Sequence, residues 1–270
     1  MNASQIAQNY ASHFRCLKEE WCNTGPQNWT GNGLLEAAAV ARDEFHRLSF
    51  EEIASLEDCR SFWINTYNGA VTELIITLAI AAALAIAAGV RRSVKEIGRF
   101  FEVKHLKVAD VPLSLDDIEH GFLRANRHHP AGLLPPLLCR PHLKAWMVRH
   151  FDPRIHFALN CGGRSCPPME VYTAAEIDCQ LDRATTAFLK TEVKIDPHRS
   201  IVRANPILRW YRADFADLGG LEGLIRRYRP GELDERCWRF TWKKYDWRLW
   251  PEALFPLRQP QPVGTPTAVR

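Results

Sequence analysis

The sequence predicts an α+β fold: a single domain in which a helical N-terminal region packs on a small, mainly antiparallel sheet. Three observations carry this expectation. Apolar residues recur at helical spacing through the first third of the chain, and the middle then switches to mixed helix and strand. No repeat and no convincing linker divides the chain. Its 270 residues, 46% of them hydrophobic and 24% charged, suffice for one sizeable core.

The elements follow in order. Ile6, Tyr10, Phe14, Leu17 and Trp21 share one helical stripe. Gly25, Pro26, Gly31 and Gly33 interrupt the chain before a helix over about Leu34 to Arg47. Ser49 with Glu52 forms a capping box that opens a short helix. A long helix runs from about Asp58 towards Ala88, with Trp63, Tyr67, Val71, Leu74 and Leu78 on one stripe and Asn65, Asn68 and Thr72 on its neighbour. Ser93 with Glu96 caps a further helix. Leu106 to Val111 reads as a strand, and Ser114 with Asp117 opens a helix over Leu115 to Asn126. The proline-rich stretch Pro130 to Pro141 leads into a helix ending near Arg149. Pro153 starts a strand over Arg154 to Asn160. Thr173 with Glu176 caps a helix to about Lys190. Val193–Ile195 and Ile201–Arg203 make a hairpin, and Asn205-Pro206 is a cap followed by a first-turn proline. Trp238, Phe240 and Trp242 alternate with Arg239, Thr241 and Lys243 as a half-buried strand. These elements divide into a helical region over 1–57, the main domain over 58–250 and a proline-rich tail over 251–270 that is expected to be disordered.

A net charge of +4, from 35 basic and 31 acidic residues without a basic stripe, gives no reason to expect a nucleic-acid partner. The first residues lack the plan of a signal peptide, and the eight cysteines lack framework spacing. A cytoplasmic protein with reduced thiols, most of them buried as small hydrophobes, is the expectation. Leu74 to Val90 is apolar apart from Thr77 but short for a span and dominated by alanine. Residues 74–90 are therefore expected to be buried or to meet a protein partner, with membrane contact as the alternative.

Chemistry concentrates around Ile155 to Pro168. On the expected strand, His156 and Asn160 share a face. A straight strand would separate His156 from Cys161 by roughly 16 Å, far beyond hydrogen-bond reach. A base for Cys161 is better sought on the helix from Leu115, where Asp116, His120 and Arg124 recur every four residues. There an imidazole would be held between a carboxylate and a guanidinium, or the three would form a surface charge ladder. The run Cys161-Gly162-Gly163-Arg164-Ser165-Cys166 admits a nucleophilic Cys161 with backbone donors converging beside it, a redox-sensitive disulfide, or a metal site with His120 or His156. It also admits two cysteines packed at a tight turn. Asn65 and Asn68 line a site or tie helices to loops. The spacing of the remaining histidines, His128-His129 among them, suggests no metal site, and no cofactor is expected.

Five segments then resemble one family in order. Phe62-Trp63-Ile64-Asn65-Thr66-Tyr67-Asn68-Gly69-Ala70, Leu113 to Arg124, and Asp152 to Pro168 look like the three main motifs of domain of unknown function 547. Trp210-Tyr211-Arg212-Ala213-Asp214-Phe215 and Tyr245-Asp246-Trp247-Arg248-Leu249 are weaker matches. The chain departs from the family pattern in an alanine-rich expansion over Leu78 to Val90. It also has Trp250 where the family usually has asparagine. The resemblance carries no settled activity; in plants the domain is joined to coiled-coil segments in proteins credited with acting through partners, while many bacterial members stand alone or are exported.

Two readings follow. The first is a thiol-dependent hydrolase or acyltransferase with Cys161 as nucleophile, His120 as base and Asp116 or Glu119 orienting it. His156 is a further catalytic candidate, and Gly162, Gly163, Asn65, Asn68, Asn160 and Arg124 would line the substrate site. The second is a non-catalytic interaction or scaffold module in which the same residues form a structural polar network.

Overall fold

A computed structural model describes residues 1–24, 32–56, 59–84, 93–132, 134–137 and 140–249. The expected breaks at Gly25, Pro26 and Gly31, the end of the long helix, the tail over 251–270 and Trp250 lie outside these residues. The architecture is the expected α+β single domain. Helices α1 (Ala3–Thr24), α2 (Asn32–Arg47) and α3 (Phe50–Ala54) precede the central helix α4 (Cys59–Leu84). Gly33 falls inside α2 rather than before it. The box predicted at Ser49 forms: Glu52 N donates to Ser49 Oγ at 3.1 Å and Ser49 N to Glu52 Oε2 at 2.7 Å.

Helix α4 carries the core because it has no solvent face over residues 61–72, where every side chain is buried. Tyr10 and Phe45 stack edge-on against each other beside it, and Phe62 joins Phe45. Glu73 ties the layer together, accepting from the Tyr10 hydroxyl at 2.5 Å and from Arg42 at 2.6 Å. Asn65, Asn68 and Thr72 form the expected polar stripe, but it too lies wholly inside.

The segment expected as one strand over Leu106–Val111 is a hairpin, β1 (Leu106–Val108) with β2 (Val111–Leu113). Ala109 and Asp110 both take positive φ, at 46° and 59°, which is the backbone of a two-residue turn. Ser114 and Asp117 then exchange backbone–side-chain bonds of 2.9 and 3.1 Å, as predicted for a helix start. The helix they open is wound as a π-helix over Asp117–Leu123, with Arg124 N donating to Glu119 O and Asn126 N to Gly121 O. After Ser93, Val94–Glu96 is a single 3₁₀ turn, and Pro141–Trp146 is 3₁₀ as well.

The strand expected over Arg154–Asn160 is absent. Pro153–Phe157 is a 3₁₀ helix because Asp152 caps it, its side chain accepting from Arg154 N at 3.0 Å, and Pro153 occupies the first turn, where no N–H is needed. Helix α5 (Ile177–Glu192) leads to β3 (Lys194–Asp196) and β4 (Ile201–Ala204), the predicted hairpin. Asn205 caps α6 (Pro206–Trp210) as expected. A 3₁₀ segment (Arg212–Leu218), α7 (Gly220–Tyr228) and β5 (Arg239–Trp242) follow, and β5 joins β4 in parallel, so the three-stranded sheet is mixed. Two hydrophobic cores result, one around α4 and one around α5, β4 and α7. Three of the cysteines described, Cys16, Cys179 and Cys237, are exposed, against the expectation that most are buried. Among the described residues no helix is long and apolar enough to cross a membrane.

Gly69 marks how closely α1 and α4 approach: a Cβ there would overlap the buried Tyr10 ring. Gly69→Ala should raise helix propensity by about 1 kcal/mol, yet overpacking costs about 1–3 kcal/mol. A net loss of about 1 kcal/mol, read as a lower Tm by circular dichroism, is expected; an unchanged or higher Tm would contradict this packing.

Candidate functional site

The π-helix, the 3₁₀ turn at Pro153–Phe157, the Cys161–Cys166 turn and the end of α6 surround a cavity of about 400 Å³. It lies where the two cores meet: Tyr67, Phe101 and Leu159 pack with the first, Ile207, Tyr211 and Tyr245 with the second. Asp116, Glu119, His120, His156 and Cys161 all line it, so the five catalytic candidates from the sequence meet in one place. His129, Cys166 and the rings of Trp210 and Trp247 complete the parts of the wall that concern the chemistry.

The predicted binding residues do not line the cavity. Asn65 bonds the backbone of Tyr172 twice, at 2.7 and 2.9 Å. Asn68 spans the turn in the same way, donating to Ala158 O at 3.0 Å and accepting from Asn160 N at 2.9 Å. Asn160 then holds Pro167 O and Gly162 N. Each amide is therefore used on both ends to fix backbone, the commoner of the two roles considered for Asn65 and Asn68. Gly162 is required by its φ of +86° and by Ile75, whose Cδ1 would stand 2.5 Å from an added Cβ. Its N–H is committed to Asn160, and Gly163 packs under Asp246 rather than facing the cavity.

Arg124 is buried behind the wall. Its Nε and Nη2 donate to Asp214 at 2.8 and 3.1 Å, and its Nη1 reaches His128 O at 2.8 Å and His120 Nδ1 at 3.0 Å. An arginine only donates, so His120 Nδ1 accepts and the neutral ring carries its proton on Nε2, 3.8 Å from Asp116. Burial lowers the His120 pKa to about 4, with Arg124, His129 and His156 adding to the effect against Glu119. The expected imidazole between carboxylate and guanidinium is present, but it is a neutral N–H donor at pH 7 rather than the base expected of it.

His156 has the opposite polarity. Its Nε2 lies 2.8 Å from Asp214, and the ring stacks on Tyr211 at 3.8 Å. Asp214, despite burial, is held well below the usual carboxylate range by His156 and Arg124, so it accepts and His156 Nε2 donates. Among the described residues the buried His156 Nδ1 lone pair is then left without a hydrogen-bond partner. Burial keeps this ring neutral too, outweighing Asp214.

The two cavity carboxyls are driven apart. Burial, with Glu119, Glu102 and Asp117, raises Asp116 to about 7. Burial also opposes the charge on Glu119, but His120, the Tyr211 hydroxyl at 2.5 Å, His156 and Arg124 together lower its pKa. With both imidazoles neutral at pH 7, Tyr211 and Arg124 are the contributions that persist there.

Asp116, His120 and His129 bring one ligand atom each within 4.8 Å of one another, a set that could hold a metal ion although the sequence spacing suggested none. Their protons argue against it. His129 Nδ1 accepts from Ala131 N at 2.9 Å, as His120 Nδ1 accepts from Arg124, so both neutral rings hold a proton on Nε2, where a ligand needs a bare lone pair.

Cys161 and Cys166 are joined in a disulfide, one of the alternatives open from the sequence. Among the described residues the polar neighbour of Cys161 Sγ is the Tyr245 hydroxyl at 3.2 Å, not an imidazole. Tyr245 is brought over the turn by the segment 245–249, through Arg164 N to Arg248 O at 3.0 Å and Ser165 N to Asp246 O at 3.2 Å. Asp214, Tyr211, Tyr245 and His129 were not singled out from the sequence. The Trp210–Phe215 and Tyr245–Leu249 segments that hold three of them were the available signal.

Residues 54–189, half of the chain, match the family model described as a protein of unknown function, DUF547. The match contains all five sequence-predicted catalytic candidates and ends before Tyr211, Asp214 and Tyr245. No curated protein and no solved structure matches the chain.

A carboxyl with a raised folded pKa contributes stability below its unfolded value and loses it as pH rises through the folded one. For Asp116 that window runs from 3.8 to about 7. Asp116→Asn should flatten the loss of stability between pH 5 and pH 8, by up to roughly 2.5 kcal/mol in urea melts. Parallel pH profiles for the two proteins would count against the raised value.

Proposed function

The chain belongs to the DUF547 family, and from that premise we propose that it is a hydrolase or acyltransferase working in the cavity, with Cys161 as nucleophile once its bond to Cys166 is opened. The observation that carries this reading is the meeting of Asp116, Glu119, His120, His156 and Cys161 around one cavity. Their roles follow from their protons. His156, oriented by Asp214 and with its Nδ1 lone pair uncommitted, is the general base for the thiol. His120, pinned by Arg124, donates its Nε2–H to the oxygen on which charge develops. Asp116, near 7, delivers a proton to the leaving group or withdraws one from water. Glu119, ionised and held by Tyr211, fixes the face on which these groups stand.

A second reading, a non-catalytic module, is favoured by the amides of Asn65, Asn68 and Asn160. Both ends of each are spent on backbone, as a structural network requires.

The readings separate in the reduced protein. Iodoacetamide should label Cys161 first among the eight cysteines. p-Nitrophenyl acetate should give an acetylated Cys161 by mass spectrometry, and His156→Gln should slow acetylation by about 10²- to 10⁴-fold. Uniform labelling, with no acetylation above Cys161→Ala, would leave the structural reading standing.

A further inference from the structure

The disulfide is itself part of the cavity wall, because both Cys161 and Cys166 line it. Hydrogen-bond donors are distributed unequally over its two sulfurs. Cys166 Sγ is approached by the backbone N–H of Cys161 at 3.0 Å and by the Tyr245 hydroxyl at 3.0 Å. Cys161 Sγ has the same Tyr245 hydroxyl at 3.2 Å and, among the described residues, no other donor. Tyr245 is fixed from behind by Trp210 and Trp247, at ring distances of 4.8 and 4.5 Å. Burial, with Glu119 and Glu192, raises its pKa further above the ordinary phenol value, so it remains an O–H donor.

In thiol–disulfide exchange the sulfur that departs is the one better able to carry negative charge. Two donors on Cys166 Sγ favour charge there, since hydrogen bonds to an ionised acceptor are the strong ones. We propose that the cavity is a thiol–disulfide exchange site for a low-molecular-weight thiol, in which the incoming thiolate attacks Cys161 and Cys166 departs.

The step balances as follows. A bond forms between the incoming sulfur and Cys161 Sγ as the Cys161–Cys166 bond breaks. The electron pair of the broken bond goes to Cys166 Sγ, which accepts from Cys161 N–H and Tyr245 O–H and then takes a proton from water. A second thiolate attacks the small molecule's sulfur in the mixed disulfide and releases Cys161 as a thiolate, which is protonated in turn. Two small thiols are oxidised to one disulfide, and the protein disulfide is reduced to two thiols; the two protons lost by the former are gained by the latter. A cavity of about 400 Å³ is within the range that takes a small molecule. This activity does not depend on the acyl-transfer reading, although its product is the free Cys161 which that reading uses.

The test uses the oxidised full chain and 2-mercaptoethanol. A brief exposure is quenched with acid, free thiols are capped with N-ethylmaleimide, and digested peptides are weighed. At least about nine-tenths of the trapped mixed disulfide should sit on Cys161, with the cap on Cys166. Tyr245→Phe should slow reduction by about three- to tenfold, from loss of one hydrogen bond to the departing sulfur. Equal or reversed partition between the cysteines overturns the proposal. So does failure of the purified chain to form this disulfide under oxidant, or a Tyr245→Phe variant that folds and is reduced at the wild-type rate. If that variant does not fold, the partition in the wild-type chain decides alone. The readout is a covalent adduct with a thiol, so the absence of acyl-transfer activity would leave it unaffected.

Discussion

The buried pair of Arg124 and Asp214 is the interaction on which the site depends. Both side chains are almost wholly shielded, at 5% and 3% exposure, and they join the π-helix to the segment after α6 across 90 residues of chain. A buried ion pair offers little net stability over an apolar replacement, but removing one partner strands the other, at about 3–5 kcal/mol. Asp214 avoids that cost by accepting from Arg124, Arg127 and His156 together. The pair also sets the two cavity imidazoles to opposite polarity. Arg124 donates to His120 and makes it an N–H donor, whereas Asp214 accepts from His156 and leaves its other nitrogen bare. Two charges behind the cavity thus give one residue type two different tautomers.

Much of this was legible in the sequence, and the misses have physical causes. Capping signals were read correctly at Ser49, Ser114 and Asn205, since the bonds that make a cap are local. The same signal, an Asx residue followed by proline, stands at Asp152-Pro153 as at Asn205-Pro206. At 153 the apolar alternation that follows suggested a strand instead. Burial on both sides of a 3₁₀ turn between two cores gives that alternation too: Ile155 packs into one core and Phe157 into the other. The separation of roughly 16 Å between His156 and Cys161 belongs to a straight strand, and Pro153–Phe157 is a 3₁₀ helix instead. The helix at Leu115 was foreseen, but not its π winding, which has no signature in spacing alone.

The site residues divide along the same line. Asp116, His120 and Arg124 could be associated because they lie on one turn after another of a single element. Asp214 and Tyr245 enter from far along the chain, through contacts that local pattern does not encode. The asparagines were recognised as special, yet a buried amide saturated by backbone and one facing a ligand look alike in sequence; only the bonding partners separate them. Helix α4 illustrates why: its polar stripe is as deeply buried as its apolar one, so polarity there marks loop attachment rather than exposure.

Oxidised and reduced forms of the cavity offer different chemistry with the same wall. While Cys161 is bonded to Cys166 it has no thiolate, so the proposed acyl transfer waits on the proposed exchange with a thiol. In the oxidised form Tyr245 stands within reach of both sulfurs, at 3.2 and 3.0 Å. The titratable catalytic candidates of the cavity stand on the π-helix and the 3₁₀ turn, and their protonation is set by Arg124, Asp214 and burial rather than by the cysteines. On the proposed reading, opening the disulfide changes the nucleophile, while the groups that would serve it are held by bonds that do not involve the cysteines. That separation requires the turn to be held from outside, which is what Asn160 does to Gly162 and Pro167 and what segment 245–249 does to Arg164 and Ser165. A turn anchored by backbone bonds on both flanks can lose its covalent link and still present Cys161 to the cavity.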